Sequence, residues 1–163
     1  LTVKRIEKLI YPVSFYRNKA VHVKATCRIL VERYESRVPG TMEELLTLPG
    51  VGRKTANLVL ILSFRSRQNI CVDTHVHRIS NRLGWVVTKS PDETEQALYQ
   101  STDARWWPHI NLYLVTWGQN VCRPVYPRCP KCVSFRAARC SATTTSTGTA
   151  RCGSPTCGCR RPT

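Results

Sequence analysis

Acidic side chains are scarce in this sequence. Its 163 residues include 10 Asp plus Glu against 25 Lys plus Arg, which gives a formal net charge of +15 at pH 7. Excess positive charge favours binding to polyanions, because each cation that neutralises a phosphate releases a condensed counterion. The composition therefore indicates nucleic acid as the partner. On charge alone, an anionic membrane surface or simple solubility remains the alternative.

Long apolar runs and period-two alternation are also missing. No stretch approaches the roughly 20 apolar residues of a membrane-spanning helix, and no signal-peptide pattern opens the chain. We therefore expect a soluble intracellular protein without a membrane partner, in the cytoplasm and nucleoid or in a eukaryotic nucleus. No segment alternates long enough to form a sheet, so we expect an all-α fold. The chain begins at Leu1 inside a helical pattern, which predicts a fragment of a longer protein.

Helical spacing and capping residues predict seven helices, over residues 2–10, 18–35, 41–47, 54–63, 73–83, 90–100 and 105–120. Thr41 with Glu44 forms a capping box, and Ser90 precedes a proline and two acidic residues. We divide the chain into a helical lobe (1–104), a C-terminal helix with a cysteine-rich loop (105–140) and a tail (141–163). The tail is rich in Ser, Thr and Gly and is expected to be disordered.

Cysteines are concentrated near the C-terminus. Seven of the nine lie after residue 120, whereas a disulfide framework would be spread along a secreted chain. Six residues separate Cys122 from Cys129, two separate Cys129 from Cys132, and seven separate Cys132 from Cys140. Thiolates are the ligands of iron-sulfur clusters, and four of them also bind zinc, so both metals are open at this point.

Residues 48–57 combine a glycine turn with the start of a helix. Gly50 and Gly52 separate two helical runs, which predicts a helix-hairpin-helix over about residues 41–64. Glycine tolerates positive φ and has no side chain, so the N–H groups of such a turn can approach a DNA phosphate. Lys54 follows at the start of the second helix. On spacing alone it is either a phosphate contact or a nucleophile, and Asp73, just before another helix, is an N-cap.

Three motifs occur in a characteristic order: Leu-Pro-Gly-Val-Gly-Arg-Lys-Thr-Ala-Asn at 48–57, Cys-Val-Asp-Thr-His-Val-His-Arg at 71–78, and Gly-Gln-Asn-Val-Cys at 118–122. In order, content and spacing the chain resembles endonuclease III, a bifunctional glycosylase of the helix-hairpin-helix superfamily, over residues 3–140. The resemblance implies that fold, base excision repair of damaged double-stranded DNA by a monomer, removal of oxidised pyrimidines, and cleavage 3′ to the abasic site by β-elimination. The alternative is a non-catalytic fragment that keeps the DNA-binding hairpin and the cysteines.

The resemblance also assigns roles to individual residues. Lys54 matches the catalytic lysine, which attacks C1′ of the flipped nucleotide and forms a Schiff base, and Asp73 matches the aspartate that stabilises positive charge on the sugar. Related adenine glycosylases, which only remove the base, lack this lysine, so Lys54 favours glycosylase plus lyase activity. The DNA-binding positions are Leu48, Gly50, Val51, Gly52, Arg53, Thr55 and His75.

For the cysteines, the resemblance implies a structural 4Fe-4S cluster, with zinc as the alternative. Cys122, Cys129 and Cys132 match the first three ligands. The family's fourth ligand follows after five residues, whereas Cys140 follows after seven, so Cys140 or a tail cysteine takes that place. The cluster would hold a loop whose basic residues meet DNA, namely Arg123, Arg128, Lys131 and Arg136. The family also has upstream helices, without which apolar faces of the Lys54 helix and the last helix would be exposed.

Overall fold

The computed structural model describes residues 1–132, 142–144 and 150–152. Its α-helices are α1 Val3–Ile10, α2 Tyr16–Arg33, α3 Met42–Leu46, α4 Arg53–Leu62, α5 Thr74–Leu83, α6 Pro91–Ser101 and α7 Trp107–Asn120. Short 3-10 turns occupy Ala104–Trp106 and Cys129–Lys131. The predicted all-α, helix-hairpin-helix fold is confirmed for residues 1–132, where the regular elements are helices.

Two short strands lie in the segment that the sequence predicts to be disordered. Strands β1 (Ala142–Thr144) and β2 (Ala150–Cys152) pair antiparallel, with Thr143 opposite Arg151. The sequence gives no alternation there, but Thr is β-branched and suits extended backbone. The remaining residues of the predicted tail lie outside the described ones.

Helix ends follow the predicted capping residues. Thr41 Oγ1 accepts a hydrogen bond from Glu44 N (3.3 Å) and donates to Glu44 Oε2 (2.7 Å), as a capping box requires. Ser90 Oγ accepts from Glu93 N at 3.2 Å. Gly84, at φ 73°, ends α5 in the left-handed conformation that glycine adopts without steric cost. These boundaries are set by residues adjacent to each helix, which explains why the sequence reveals them.

The chain divides into two compact units, Leu1–Ser66 and Arg67–Thr163. The sequence predicts a boundary near residue 104, but α5, α6 and α7 share one apolar core and belong to the second unit. The core of the first unit contains Leu45, Leu48, Ala56 and Leu60. The core of the second contains Ile70, Val72, Val76, Ile79, Val86, Leu98, Ile110 and Leu114.

Apolar side chains are exposed on α4 and α7, as the sequence predicts. Leu62 is 69% exposed and Leu112 is 63% exposed. In the second unit an apolar cleft of about 530 Å³ is lined in part by Trp85, Trp106 and Tyr113. None of the helices in the described part of the chain combines the length and the apolar character that crossing a bilayer requires.

Candidate active site

The hairpin turn between α3 and α4 is fixed from several sides. Leu48 is 4% exposed in the core of the first unit, and its carbonyl accepts a hydrogen bond from Val51 N at 3.1 Å. Thr26 of α2 donates through Oγ1 to the carbonyl of Pro49 at 2.9 Å. Gly50 has φ 76°, a conformation that side-chain-bearing residues rarely adopt. The turn therefore has one defined shape, held by a buried leucine and a threonine from a different helix.

The outer side of this turn is open. Gly52 is exposed, has extended backbone at φ −100°, and no atom lies within 4 Å of the place where a Cβ would stand. Within the part of the chain that the structure describes, the N–H groups of Gly50 and Gly52 find no acceptor. Free amides at a helix N-terminus form a ready anion site. The arrangement suits a phosphate oxygen.

Two of the predicted DNA contacts point away from that surface. The side chain of Leu48 is buried, so the predicted contact of this residue with DNA would be made by its backbone. Val51 is partly buried against the same core, and its N–H is bonded to Leu48. Both residues build the turn from inside. Arg53, which is partly buried, and the exposed Thr55 lie in the first turn of α4.

Lys54 is exposed in the first turn of α4, two residues after the N-cap Gly52. The helix dipole places partial positive charge at this end, which favours an anionic ligand beside the amine. The hairpin thus presents a primary amine immediately next to a turn that is shaped for phosphate.

Asp73 caps α5. Its Oδ1 accepts hydrogen bonds from His75 N (2.9 Å) and Val76 N (2.8 Å), so the capping role expected from spacing is observed. Its Oδ2 has no hydrogen bond within the described residues. One carboxylate oxygen therefore orders the helix, and the other is left for a ligand.

The segment before Asp73 is held by side chains that the sequence did not single out. Ile70, Cys71 and Val72 are buried. Ile70 N donates to Tyr99 Oη at 3.0 Å, and Asn111 Nδ2 donates to the Cys71 carbonyl at 3.1 Å. Tyr99 belongs to α6 and Asn111 to α7. No local sequence pattern marks either residue as a partner of this segment.

His75 is turned into the second unit. Its ring packs against Gly118 of α7, and its Nδ1 lies 3.1 Å from Arg78 Nη2. The imidazole is engaged between α5 and α7, and the DNA contact predicted for His75 stays a prediction. His77 bonds through Nδ1 to Thr94 Oγ1 at 2.6 Å.

Three of the predicted metal ligands fall within the described residues. Cys122, Cys129 and Cys132 are partly buried and are not in disulfides, and Cys132 N donates to the Cys129 carbonyl at 3.0 Å. In residues 1–132 and the two strands, no three metal-ligating side chains converge into a metal-binding group. Cys140 lies outside the described residues, as does Arg136, whereas the other predicted basic residues of the loop, Arg123, Arg128 and Lys131, are exposed.

Guanidinium groups from α5 reach the first of these cysteines. Arg78 Nη2 donates to the Cys122 carbonyl at 2.7 Å, and Arg82 Nη1 lies 3.6 Å from Cys122 Sγ. Burial lowers the pKa of Arg78 from its ordinary value, and repulsion by Arg82 adds to this. Arg78 remains charged because the ordinary value is far above neutral pH. The cysteine segment therefore begins in a cationic environment.

The contact between Gly118 and His75 leads to a first prediction. A Cβ at position 118 would overlap the imidazole and come within 3.1 Å of Arg78 Nη2. We expect Gly118→Ala to lower the free energy of unfolding by about 1–3 kcal/mol, because overpacking outweighs the helix propensity gained. Urea denaturation measures it. The matched variant His75→Ala with Gly118→Ala should recover most of the loss, and a Gly118→Ala protein more stable than wild type would contradict the contact.

The turn glycines give a second prediction. Gly50→Ala would place a side chain at φ 76° and a Cβ 2.6 Å from His22 Nδ1. Left-handed backbone alone costs a residue with a side chain about 1–2 kcal/mol. We therefore expect the free energy of unfolding, measured by thermal denaturation, to fall by at least that amount. Gly52→Ala is the control, since it has ordinary φ and open space. It should cost clearly less stability yet still weaken binding to duplex DNA, because its methyl group would occupy the open surface of the turn.

Comparisons with known proteins agree with this geometry. Residues 1–103, more than half of the chain, match the family described as HhH-GPD superfamily base excision DNA repair protein. The chain belongs to this family. It is 52% identical over 124 residues to endonuclease III of Thermotoga maritima, covering 76% of this chain and 58% of that protein. It is 50% identical over 134 residues to endonuclease III homolog 2, chloroplastic, of Arabidopsis thaliana, covering 78% of this chain and 35% of that one.

Solved structures of this family have the same fold. The structure of a trapped endonuclease III-DNA covalent intermediate superposes with a TM-score of 0.79 at 35% identity, covering 85% of this chain and 65% of that one. The resemblance to endonuclease III that the sequence motifs predict is thus confirmed. The chain spans about a third to three fifths of the length of the two curated relatives above.

Proposed function

We propose that this chain carries the chemistry of a bifunctional DNA glycosylase and abasic-site lyase that acts as a monomer on oxidised pyrimidines in double-stranded DNA. The observation that carries the proposal is the placement of Lys54. Its amine is exposed in the first turn of α4, directly after a glycine turn with free N–H groups. The match to the endonuclease III lysine, which glycosylases that only remove the base lack, favours a nucleophile over a simple phosphate contact.

The proposed reaction begins with extrusion of the damaged nucleotide, because C1′ cannot be reached within the base stack. The hairpin amides of Gly50 and Gly52 hold a phosphate of the distorted strand. The nitrogen of Lys54 attacks C1′, the C1′–N bond breaks, and the base leaves with the bonding electrons and takes up the proton that the attacking nitrogen releases. Ring opening then gives a Schiff base between Lys54 and C1′.

Strand cleavage follows from the Schiff base. The iminium withdraws electrons and makes a proton on C2′ acidic, so that a proton acceptor can remove it. The electrons form the C2′–C3′ double bond and expel the 3′ phosphate, which is β-elimination. Water then hydrolyses the Schiff base and releases Lys54. Asp73 contributes a carboxylate whose Oδ2 stabilises positive charge on the sugar while Oδ1 keeps α5 capped.

The cysteine segment fits a metal–thiolate centre in the chemistry of its donors. Cys122, Cys129 and Cys132 are soft ligands, none is in a disulfide, and a guanidinium lies beside the first sulfur. We propose that these three cysteines and Cys140 hold a 4Fe-4S cluster. Once bound, the cluster would supply a rigid scaffold and no chemistry of the reaction, and the exposed Arg123 and Arg128 beside it would meet DNA phosphates.

Borohydride trapping tests the proposal. The purified chain is incubated with duplex DNA that contains one abasic site, and borohydride reduces any Schiff base to a stable amine. With borohydride we expect a covalent protein–DNA adduct. Without borohydride we expect the strand cleaved 3′ to the abasic site by β-elimination. Binding to the same duplex with neither adduct nor cleavage would support the rival, a non-catalytic DNA-binding fragment. A duplex without damage is the control for non-specific capture.

A further inference from the structure

Arg82, in the last turn of α5, contacts three groups of the segment that follows α7. Its Nη1 donates to the Arg123 carbonyl at 2.7 Å, and its Nη2 donates to the Pro124 carbonyl at 3.0 Å. The same Nη1 lies 3.6 Å from the sulfur of Cys122, within reach of an N–H···S hydrogen bond. These partners lie 40 to 42 residues away in sequence, so the contacts tie two distant parts of the chain together.

Arg78, one helical turn earlier, holds the same segment from the other end. It donates to the Cys122 carbonyl at 2.7 Å. The backbone of Cys122 and the two residues after it is therefore bonded to α5 through three carbonyls. A planar guanidinium suits this task because its donors point in fixed directions, so two carbonyls can be bound at once. The sulfur is left facing the charged edge of Arg82.

We propose that Arg82 is a positioning residue for the metal–thiolate centre, which sets both how firmly Cys122 holds the metal and the reduction potential of the cluster. The inference rests on the cluster proposed above. Two separable properties of the side chain are involved. The two nitrogens of the guanidinium, which bind two carbonyls at once, fix the loop that carries Cys122. The positive charge with its N–H donor stabilises negative charge on the sulfur of Cys122.

The charge has a definite expected effect. Reduction adds an electron to the cluster, and a nearby cation with an N–H donor stabilises the added negative charge, so it raises the reduction potential. Removing the guanidinium should lower it. A purely structural role would change the rate at which metal is lost but would leave the potential of the intact cluster unchanged. The potential therefore distinguishes positioning of the sulfur from simple support of the loop.

The experiment compares wild type with Arg82→Gln, Arg82→Lys and Arg105→Gln, each purified as the full chain without air. Arg105 is the matched control, because it is an exposed arginine of the same unit that pairs with Asp103 at 3.2 Å. Iron and sulfide content, decay of visible absorbance under a chelator, and the reduction potential are measured. Circular dichroism verifies that each variant is folded.

We expect Arg82→Gln to lose absorbance about tenfold faster than wild type or more, since residues that orient metal ligands typically contribute that much to metal affinity. Its surviving cluster should have a more negative potential. Arg82→Lys keeps the charge but cannot bind two carbonyls at once. It should therefore lose the cluster faster than wild type, with a smaller change in reduction potential than Arg82→Gln. Arg105→Gln should match wild type in all three measurements.

The outcomes separate the two proposals. A wild-type chain that contains iron and sulfide, with an Arg82→Gln variant of equal decay rate and equal potential, would overturn the role of Arg82 and leave the cluster intact. A wild-type chain that contains zinc would overturn the 4Fe-4S assignment and, since zinc has no redox couple, the part of this inference that concerns potential. A wild-type chain without metal would overturn both proposals. Trapping on abasic DNA reports the lyase chemistry separately.

Discussion

Lys54→Ala should abolish borohydride trapping on abasic DNA. Only a primary amine can form the Schiff base on which both β-elimination and trapping depend. In the proposed mechanism, Lys54 is the amine that the hairpin supplies. We expect the rate of strand cleavage to fall by roughly a thousandfold or more, as when the nucleophile of a covalent catalyst is removed. The measurement is single-turnover cleavage of an abasic duplex with protein in excess, read together with the amount of trapped adduct.

Two further variants separate chemistry from charge. Lys54→Arg keeps the positive charge at the start of α4, but a guanidinium stays protonated and cannot form a Schiff base. It should bind abasic duplex nearly as well as wild type and give no adduct. Lys24→Ala removes an exposed lysine from α2 in the same unit and is the matched control for loss of one charge. It should trap at the wild-type rate.

One result would rule out the assignment. If Lys54→Ala still forms the adduct at a rate near that of wild type, another amine is the nucleophile. If Lys54→Ala loses trapping only in proportion to binding, and Lys54→Arg restores both, then Lys54 is a phosphate contact and a different amine is the nucleophile. The salt dependence of binding supports the distinction, because loss of a phosphate contact reduces the slope of affinity against salt by about one unit.

The sequence predicts the helices well because their boundaries depend on neighbouring residues. The hydroxyls of Thr41 and Ser90 reach amides three residues away, and Gly84 ends α5 by its own backbone freedom. The hairpin is equally local, since its shape follows from two glycines between two amphipathic helices. The positions of Lys54 at the start of a helix and of Asp73 at an N-cap are equally local, whereas their catalytic roles are implied by the resemblance and stay predictions.

The sequence does not predict contacts between residues that are far apart along the chain. Nothing near His75 along the chain shows that its ring packs on Gly118. Leu48 belongs to the motif that we predict to contact DNA, yet burial of its side chain depends on α2 and α4. The hydrogen bond from Asn111 to Cys71 spans 40 residues and leaves no periodic signal. Such pairs become visible only when the packing of whole helices is known.

Asp73→Asn should separate the two roles of that carboxylate. Asn caps helices about as well as Asp, and its Oδ1 can accept from the same N–H groups of His75 and Val76. The free energy of unfolding should therefore change by less than about 0.5 kcal/mol, since the cap is retained. The negative charge that stabilises the sugar is lost, so we expect the rate of base removal to fall by roughly a hundredfold or more.

Asp73→Ala is the comparison that makes this test decisive. It removes cap and charge together, so it should lose about 1 kcal/mol of stability in urea denaturation as well as activity. If the carboxylate served only to start α5, then the Asn variant would be fully active and activity would follow stability across the series. Activity that falls equally in both variants, while stability falls only in Asp73→Ala, requires the charge itself at the reacting sugar. With that result, the hydrogen bonds of Oδ1 would belong to folding and the charge of the carboxylate to catalysis.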